Sequence, residues 1–486
     1  RLLLGEPTPS LSSHRNEPLS FTFLEKAENL STTQELKPVI PAWLIWIQCI
    51  AFVVLYAVWI LPEIVGIRNT ALVIGAIAGL YPIYQYRCQL LQKRAISLWL
   101  IVILFVWATW HLVFLSHDYA AQLREYKRIW KYAAIGAIFA FGLGLSLMSA
   151  TVNDDAHDCV ANNKFTPERL KCAPYWMVIF LGLYAPVLIY LLKYILTTYG
   201  AKWGINVPPY LQIYFGSQPF YIPKTDYVAF CLPPLAIALG QIQAAITFRA
   251  ITTRLLGVVA LYMLLIVSTL FLFDIQNIKN GMAYAAICLG LFIFALLMKL
   301  TVQSWWKKSF IALLVLSCFG VALNIHLQKN DSWKTLVADT KVAFQLDKYP
   351  HWKFAGEQGY PNNEFGKMVS ITNYERAAWF KVGLQLATQT PLGYGLVEDS
   401  FKRMAKDKWP EASPYLSHSH SGWLDVVLAI GIPGFTLIIS ALIIAIKQSN
   451  QLPQPWKALV FWGLFSTGIL WLTTEVSATV TFAALI

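Results

Sequence analysis

Charged side chains are scarce in this sequence. Only 13% of its 486 residues are Asp, Glu, Lys or Arg, whereas 57% are hydrophobic and the mean hydropathy is +0.52. Soluble proteins carry roughly a quarter charged residues, so this composition excludes a soluble globular domain. The 19 Trp residues suit a chain that meets two membrane–water interfaces, where Trp and Tyr concentrate.

Several motifs are also missing. No CxxC pair with zinc-type spacing occurs, and no Asp-x-Asp or carboxylate-rich cluster stands out, so we expect no metal and no cofactor. Cys159 and Cys172 share a polar loop and would pair only if that loop faces an oxidising compartment. Residues 1–38 are polar and lack the apolar core of a signal peptide, and we interpret them as a cytoplasmic tail.

The positive charge, +12 at pH 7, lies mainly in short segments between apolar runs. Basic loops beside membrane spans follow from the positive-inside rule and from anionic lipid head groups, so nucleic acid is not an expected partner. Two further explanations of the positive charge remain open: binding of a phosphate-bearing lipid and binding of acidic sugars.

Apolar runs of about 18 or more residues, enough to cross a hydrocarbon layer roughly 30 Å thick, recur along the chain. The fold class we predict is an all-α polytopic membrane protein with about 11–12 transmembrane helices: nine within 39–325 and the remainder within 422–486. The runs lie near 43–66, 69–85, 95–115, 132–150, 174–196, 226–247, 255–273, 281–300, 308–325, 422–446 and 457–474, with another helix beginning at 475–486.

A cytoplasmic amino terminus followed by nine spans places the polar segment 326–421 in the periplasm, as one large loop. Basic residues in the loops then assigned to the cytoplasm, such as Arg87, agree with the positive-inside rule. The loop 116–131 does not follow the positive-inside rule, because it holds Arg124 and Arg128 but is assigned to the periplasmic side. Either one early span is miscounted or this basic loop is external for a functional reason.

Within the long loop, residues 373–389 predict an amphipathic helix lying on the membrane surface. Its apolar positions at mixed three and four spacing include Ala377, Phe380, Leu384 and Leu386. Pro391, Gly393 and Gly395 then indicate a turn.

The segment HSHSGWLDVVLAIGIPG, residues 418–434, brings the loop back to a membrane helix. Its spacing predicts that His420, Leu424 and Gly431 share one helical face. A histidine at a helix amino terminus feels the positive dipole end, which favours a neutral imidazole that can act as a general base. From these residues alone, a loop or interface histidine without a catalytic role remains an alternative.

This segment resembles the signature of the O-antigen ligase superfamily, which includes O-antigen polymerases and bacterial protein O-oligosaccharyltransferases. The matching positions are His420, Ser421, Leu424, Gly431, Ile432, Pro433 and Gly434. Upstream, YERAAWFKVGLQLATQTPLGYG is similar to the second family signature, an Arg on an amphipathic helix that ends in a Pro-x-Gly-x-Gly turn. There the matching positions are Arg376, Trp379, Pro391, Gly393 and Gly395.

A third basic residue of the family, normally Arg, follows a membrane helix at its periplasmic end. In DIQNIKNGMAY that position is Lys279, which keeps the charge but loses the bidentate grip of Arg on phosphate. Arg249 or Arg254 would take this place under a different topology.

The resemblance implies a GT-C-like fold and metal-independent, inverting transfer of a glycan from undecaprenyl pyrophosphate. It makes His420 the base that activates the acceptor hydroxyl, and Arg376 the first choice for stabilising the leaving pyrophosphate. Five further residues are expected to bind substrate: Lys279, His418, Trp379, Arg124 and Arg128. The expected partners are the lipid-linked donor, a glycan or protein acceptor, and membrane lipids.

Our interpretation is an O-antigen ligase of the bacterial inner membrane that acts at the periplasmic face and transfers to lipid A–core oligosaccharide. Transfer to Ser or Thr of a periplasmic protein, and polymerisation on the lipid carrier, are alternatives with the same donor. A transporter is an alternative of another class. It is disfavoured because transporters place ionisable residues in mid-span and most spans here have none.

Overall fold

The computed structural model of the chain describes residues 40–158, 174–213, 220–248, 253–299 and 331–474, together with single positions between 309 and 328. Within these residues the regular structure is helical, apart from one isolated bridge between Asn362 and Met368. The helices are α1 (Ala42–Val58), α2 (Val65–Gln85), α3 (Ile96–Phe114), α4 (Tyr119–Glu125), α5 (Lys131–Asp158), α6 (Pro174–Tyr199), α7 (Lys224–Phe248), α8 (Thr253–Ile275), α9 (Lys279–Lys299), α10 (Asp331–Lys334), α11 (Leu336–Ala343), α12 (Ile371–Gln389), α13 (Ser400–Lys408), α14 (Gly422–Gln448) and α15 (Trp456–Leu470).

The prediction of an all-α polytopic membrane protein is confirmed. Among the described residues, eight helical stretches are long and apolar enough to cross a membrane, and α1 and α15 are shorter apolar helices. The tail 1–38, most of the predicted span 308–325, and the final stretch 475–486 lie outside the described residues. So do Cys159, Cys172, Arg249 and the side chain of Arg254.

Helix α7 occupies the centre of the membrane-spanning bundle. Of its most apolar window, 89% is buried, whereas the other spans bury 22–50%. It packs against α6, α8, α9 and α15, and a second group formed by α1, α2, α5 and α6 adjoins it. The first turn of α7 is therefore held in place on several sides, and it is this turn that reaches the site described below.

The expected loop 116–131 is helical instead. Helix α4 continues through a π-helical turn, Tyr126–Trp130, into α5, so that Tyr119–Ala150 forms one long apolar stretch. One face of this stretch is buried at Ala121, Glu125 and Ile129, which explains why the chain stays helical. The basic residues lie on the opposite, exposed face.

The segment between α10 and α14 has a hydrophobic core of its own, built around Trp352, Tyr374, Trp379 and Phe401. The helix predicted at 373–389 is present as α12, and one of its faces packs in this core. Phe380 and Leu384 are exposed, whereas the side chains one turn apart at 374, 378, 382 and 386 are buried in this core. The position of α12 on the membrane surface stays a prediction.

Candidate active site

A cavity of about 770 Å³ lies where α7 and α9 begin, beneath α10, α11 and α12. This volume is in the range of roughly 300–1,000 Å³ typical of ligand sites. The first turns of α7 and α9 both line it, and the amino-terminal end of a helix carries a partial positive charge that attracts anions. The remaining walls come from the loop ahead of α14 and from residues 472–474.

Three predicted site residues, Arg376, Lys279 and His420, line this one cavity. They come from α12, from the first residue of α9, and from the loop before α14, which are far apart in the chain. The structure also brings Lys224, the first residue of α7, into the same lining. Sequence reasoning did not single out Lys224.

The two predicted cations are held by polar neighbours. Arg376 Nη1 donates a hydrogen bond of 2.8 Å to Asn280 Oδ1, and Lys279 Nζ donates to Ser332 Oγ. Arg376 Nε is buried and has no hydrogen-bond partner among the described residues. A buried donor left without an acceptor is costly, so an anion bound beside Arg376 would satisfy a group that the protein leaves unsatisfied.

The described lining contains no Asp or Glu to neutralise these cations. Glu375, next to Arg376 in sequence, is directed elsewhere: Tyr360 Oη donates to its Oε1 at 2.5 Å. Burial raises the pKa of the Glu375 carboxyl. The cavity is therefore built for a ligand with several negative charges.

His420 does not belong to α14, so the expected helical face shared with Leu424 and Gly431 is wrong. The helix begins at Gly422 with Ser421 as its N-cap, and His420 has a left-handed backbone with φ of +59°. The buried carboxylate of Asp425 accepts hydrogen bonds from the Ser419 amide (2.9 Å) and hydroxyl (2.6 Å). This connection holds the turn that presents His420 to the cavity.

The imidazole of His420 packs between two aromatic neighbours. Trp379 stacks on it with ring centroids 5.1 Å apart and an angle of 3° between the planes. Trp379 is fixed in turn, because its Nε1 donates to the carbonyl of Trp352 at 2.9 Å. His418 meets His420 edge-on at 4.6 Å. Trp379 and His418 contact His420 but are not part of the cavity lining.

The glycine-rich turn 391–395 docks into an interruption of α14 at Gly431, whose φ is +71°. The Tyr394 amide donates to the carbonyl of Leu428 at 2.7 Å, so the turn uses acceptors of the helix itself. A Cβ added at Gly393 would lie 2.4 Å from the Gly431 nitrogen, closer than any real contact. The two predicted motifs are thus joined backbone to backbone.

Residues 280–439 match a family model described as O-antigen ligase. The matched range contains Arg376, Trp379, His418, His420 and the Gly393–Gly431 contact. This part of the chain is similar to O-antigen ligases. The resemblance of this region to the O-antigen ligase superfamily is therefore confirmed, and the match supports glycosyl transfer in general. No curated protein matches the chain.

Arg124 and Arg128 lie outside the matched range, and neither lines the cavity. Both are exposed on the helical stretch that follows α3, and Arg128 pairs with Glu398. Next to them Glu125 accepts a hydrogen bond from the Val397 amide at 2.6 Å. The observed contacts attach the 391–398 segment to this helix, and a role in substrate binding stays a prediction.

The site also has residues that sequence reasoning missed. Asp425 is four residues after the N-cap, and an acidic residue in a first helical turn is a weak signal on its own. Asn280 directly follows Lys279, but it belongs to no sequence motif that would indicate a role. Lys224 opens an apolar run after a Pro, as many interfacial lysines do. No group of three or more metal-ligating side chains occurs in the described part of the chain.

Proposed function

We propose that this protein is a metal-independent, inverting glycosyltransferase that moves a glycan from undecaprenyl pyrophosphate to lipid A–core oligosaccharide. The observation that carries the proposal is the shared cavity, in which Arg376, Lys279 and His420 meet without a carboxylate among the described lining residues. Two opposite requirements of the reaction, an anion site and a base, are met by neighbouring side chains.

Arg376 and Lys279 bind the donor pyrophosphate. Arg376 offers Nε and an Nη in a planar fork that fits two phosphate oxygens, whereas Lys279 supplies a point charge. Their hydrogen bonds to Asn280 and Ser332 limit the orientations that each cation can adopt. Preorganised positive charge is most effective in a site that excludes water, because the leaving group gains negative charge as the glycosidic bond breaks.

His420 takes the proton of the acceptor hydroxyl. As that oxygen attacks the anomeric carbon, the bond from this carbon to the phosphate oxygen breaks and the electron pair stays on the phosphate. Attack from the side opposite the leaving group inverts the anomeric configuration. Stacking on Trp379 limits rotation of the imidazole, so one ring edge stays directed towards the cavity.

The apolar part of the cavity supports a lipid-linked donor. Ala283, Tyr284 and Ile287 of α9 line it after Lys279, and Val228 lines it on α7. Eight residues of helix correspond to about 12 Å along the axis, so apolar lining continues from the cations along two membrane helices. A water-soluble nucleotide sugar would gain nothing from this surface.

In this proposal the reaction takes place at the periplasmic face of the inner membrane, because the long segment before α14 lines the cavity and the parity of the predicted spans assigns that segment to the periplasm. Deletion of the gene followed by glycan profiling separates the possible acceptors. We expect lipid A–core without attached polymer, together with normal protein glycosylation and normal chain length on the lipid carrier.

Purified protein supplies the direct test. It is incubated with undecaprenyl-pyrophosphate-linked glycan and, separately, with lipid A–core, a Ser/Thr acceptor protein, or the donor alone. The proposal expects a lipid A–core product. Transfer only to protein, or only elongation of the donor glycan, would refute the assigned acceptor, and no consumption of donor with any acceptor would refute glycosyl transfer itself.

A further inference from the structure

Lys224 is a third cation of the cavity that the proposed mechanism has not used. It is the first residue of α7, the most buried helix of the bundle, and its side chain is exposed in the cavity lining. Lys224 and Arg376 both lie within electrostatic range of the Lys279 ammonium. Three like charges this close repel one another, so the protein alone gains nothing from Lys224.

The negative charge on the pyrophosphate increases during the reaction, and this increase gives the third cation a role. A glycan-linked pyrophosphate is a diester with one negative charge on each phosphate. When the bond to the anomeric carbon breaks, the terminal phosphate becomes a monoester, whose second ionisation is about half complete or more at pH 7. The leaving group therefore carries about 2.5 to 3 negative charges, while Arg376 and Lys279 match only the two of the substrate.

Among the described residues that line the cavity with Lys224, none is an Asp or Glu. Asp226, two residues further along α7, is buried and is not among the lining residues. The ammonium of Lys224 is carried on a flexible four-carbon stem, so it can follow charge that develops on an oxygen atom. The amino-terminal end of α7 adds a partial positive charge to the same position.

We propose that Lys224 binds the leaving pyrophosphate and stabilises the negative charge that appears on it as the glycosidic bond breaks. This inference rests on the proposed function. Because the charge is absent from the bound donor, Lys224 contributes more to the transition state and to product binding than to donor binding. Its loss lowers kcat and leaves the donor KM nearly unchanged.

The test compares Lys224→Met, which keeps the length of the side chain without its charge, with Lys224→Arg and with wild type. Lys367→Met is the matched control, because Lys367 is exposed and does not line the cavity. Initial rates are measured with purified full chain over a range of donor concentrations. We expect Lys224→Met to lower kcat on the order of 100-fold with KM changed less than about threefold, and Lys224→Arg to retain most activity.

Product inhibition supplies a second readout that does not need rapid turnover. Undecaprenyl pyrophosphate should inhibit or bind Lys224→Met at least about tenfold more weakly than wild type, whereas undecaprenyl phosphate should bind both about equally. A Lys224→Met enzyme with kcat within twofold of wild type, or with unchanged affinity for undecaprenyl pyrophosphate, would overturn the role of Lys224 alone. A wild-type protein that consumes no donor would instead overturn the proposed function.

Discussion

His420 is held in a conformation that few residues adopt. A non-glycine residue with positive φ costs about 1–3 kcal/mol. Asp425 accepts two hydrogen bonds from Ser419, and hydrogen bonds to a charged group contribute about 1.5–3 kcal/mol each. These bonds are enough to offset the backbone strain, so the turn is stable without a ligand and the imidazole needs no rearrangement before reaction.

Trp379 acts on His420 in this account rather than on the substrate. Aromatic stacking contributes about 0.5–1.5 kcal/mol, so Trp379→Ala should lower kcat by about 3- to 10-fold while the donor KM stays within twofold. Trp379→Phe keeps a stacking surface and should restore most of the rate. Steady-state rates of both variants check this, and a rise in KM without a fall in kcat would indicate direct substrate binding.

Arg376 should tolerate only partial replacement. Arg376→Lys keeps the charge but not the planar fork, so it should retain part of the activity, and Arg376→Ala should retain very little. Arg87→Ala, a change at an exposed arginine between α2 and α3, is the control. Full transfer by Arg376→Ala at normal protein levels would make Arg376 an interface anchor only.

At the scale of elements, the two motifs work as one unit. The turn after α12 hydrogen-bonds to α14 where Gly431 interrupts that helix, so α12 with Arg376 and the loop with His420 keep a fixed separation. His111 of α3 contacts the other side of the turn: its Nε2 lies 3.3 Å from the Gly393 oxygen. A neutral His111 protonated on Nε2 satisfies this contact and accepts from Gln122 at Nδ1.

Gly393→Ala should separate these elements. Its Cβ would overlap the Gly431 backbone, and alanine is strained at the observed φ of +89°. We expect a loss of more than about 1 kcal/mol in the free energy of unfolding, seen as a lower midpoint of thermal denaturation in detergent, together with lower transfer. Gly144→Ala is the control, because no atom lies within 4 Å of its added Cβ. Equal midpoints for the two variants would contradict the docking role.

Sequence reasoning reached the parts of the site that have local patterns. Apolar run length predicts the spans, and the family resemblance picks out Arg376, Lys279 and His420, which the structure brings into one cavity. It could not assign the buried face of α12, because that choice depends on a core built from Trp352 and Phe401, elsewhere in the chain. Lys224 was missed for the same reason, since only tertiary packing brings α7 to α9.

In the whole molecule, the cavity lies between the membrane helices and the long segment before α14. Its walls are the first turns of membrane helices on one side and the segment 331–421 on the other. In the proposed function the donor lipid therefore approaches from the membrane and the acceptor from the aqueous side. The proposal requires that this segment face the periplasm, which follows from the parity of the predicted spans and from the basic loops between them.

Labelling of single cysteines tests the orientation. Asn362→Cys lies at an exposed position of the long segment, and native Cys88, between α2 and α3, is exposed on the predicted cytoplasmic side. In intact spheroplasts we expect a membrane-impermeant maleimide to react with Cys at 362 but not with Cys88. Reaction of the 362 site only after the inner membrane is opened would invert the topology and remove the periplasmic mechanism.

The transfer rate of a His420→Ala variant is the most direct test of general-base catalysis by His420. The assay uses purified protein, undecaprenyl-pyrophosphate-linked glycan, lipid A–core acceptor and a chelator. General-base assistance contributes about 10²–10⁴-fold, so His420→Ala should lower the transfer rate by that factor, and His418→Ala should lower it less, because His418 contacts the base without lining the cavity. Normal thermal stability of both variants would show that the loss is chemical. A folded His420→Ala protein that transfers within a few-fold of the wild-type rate would contradict histidine catalysis.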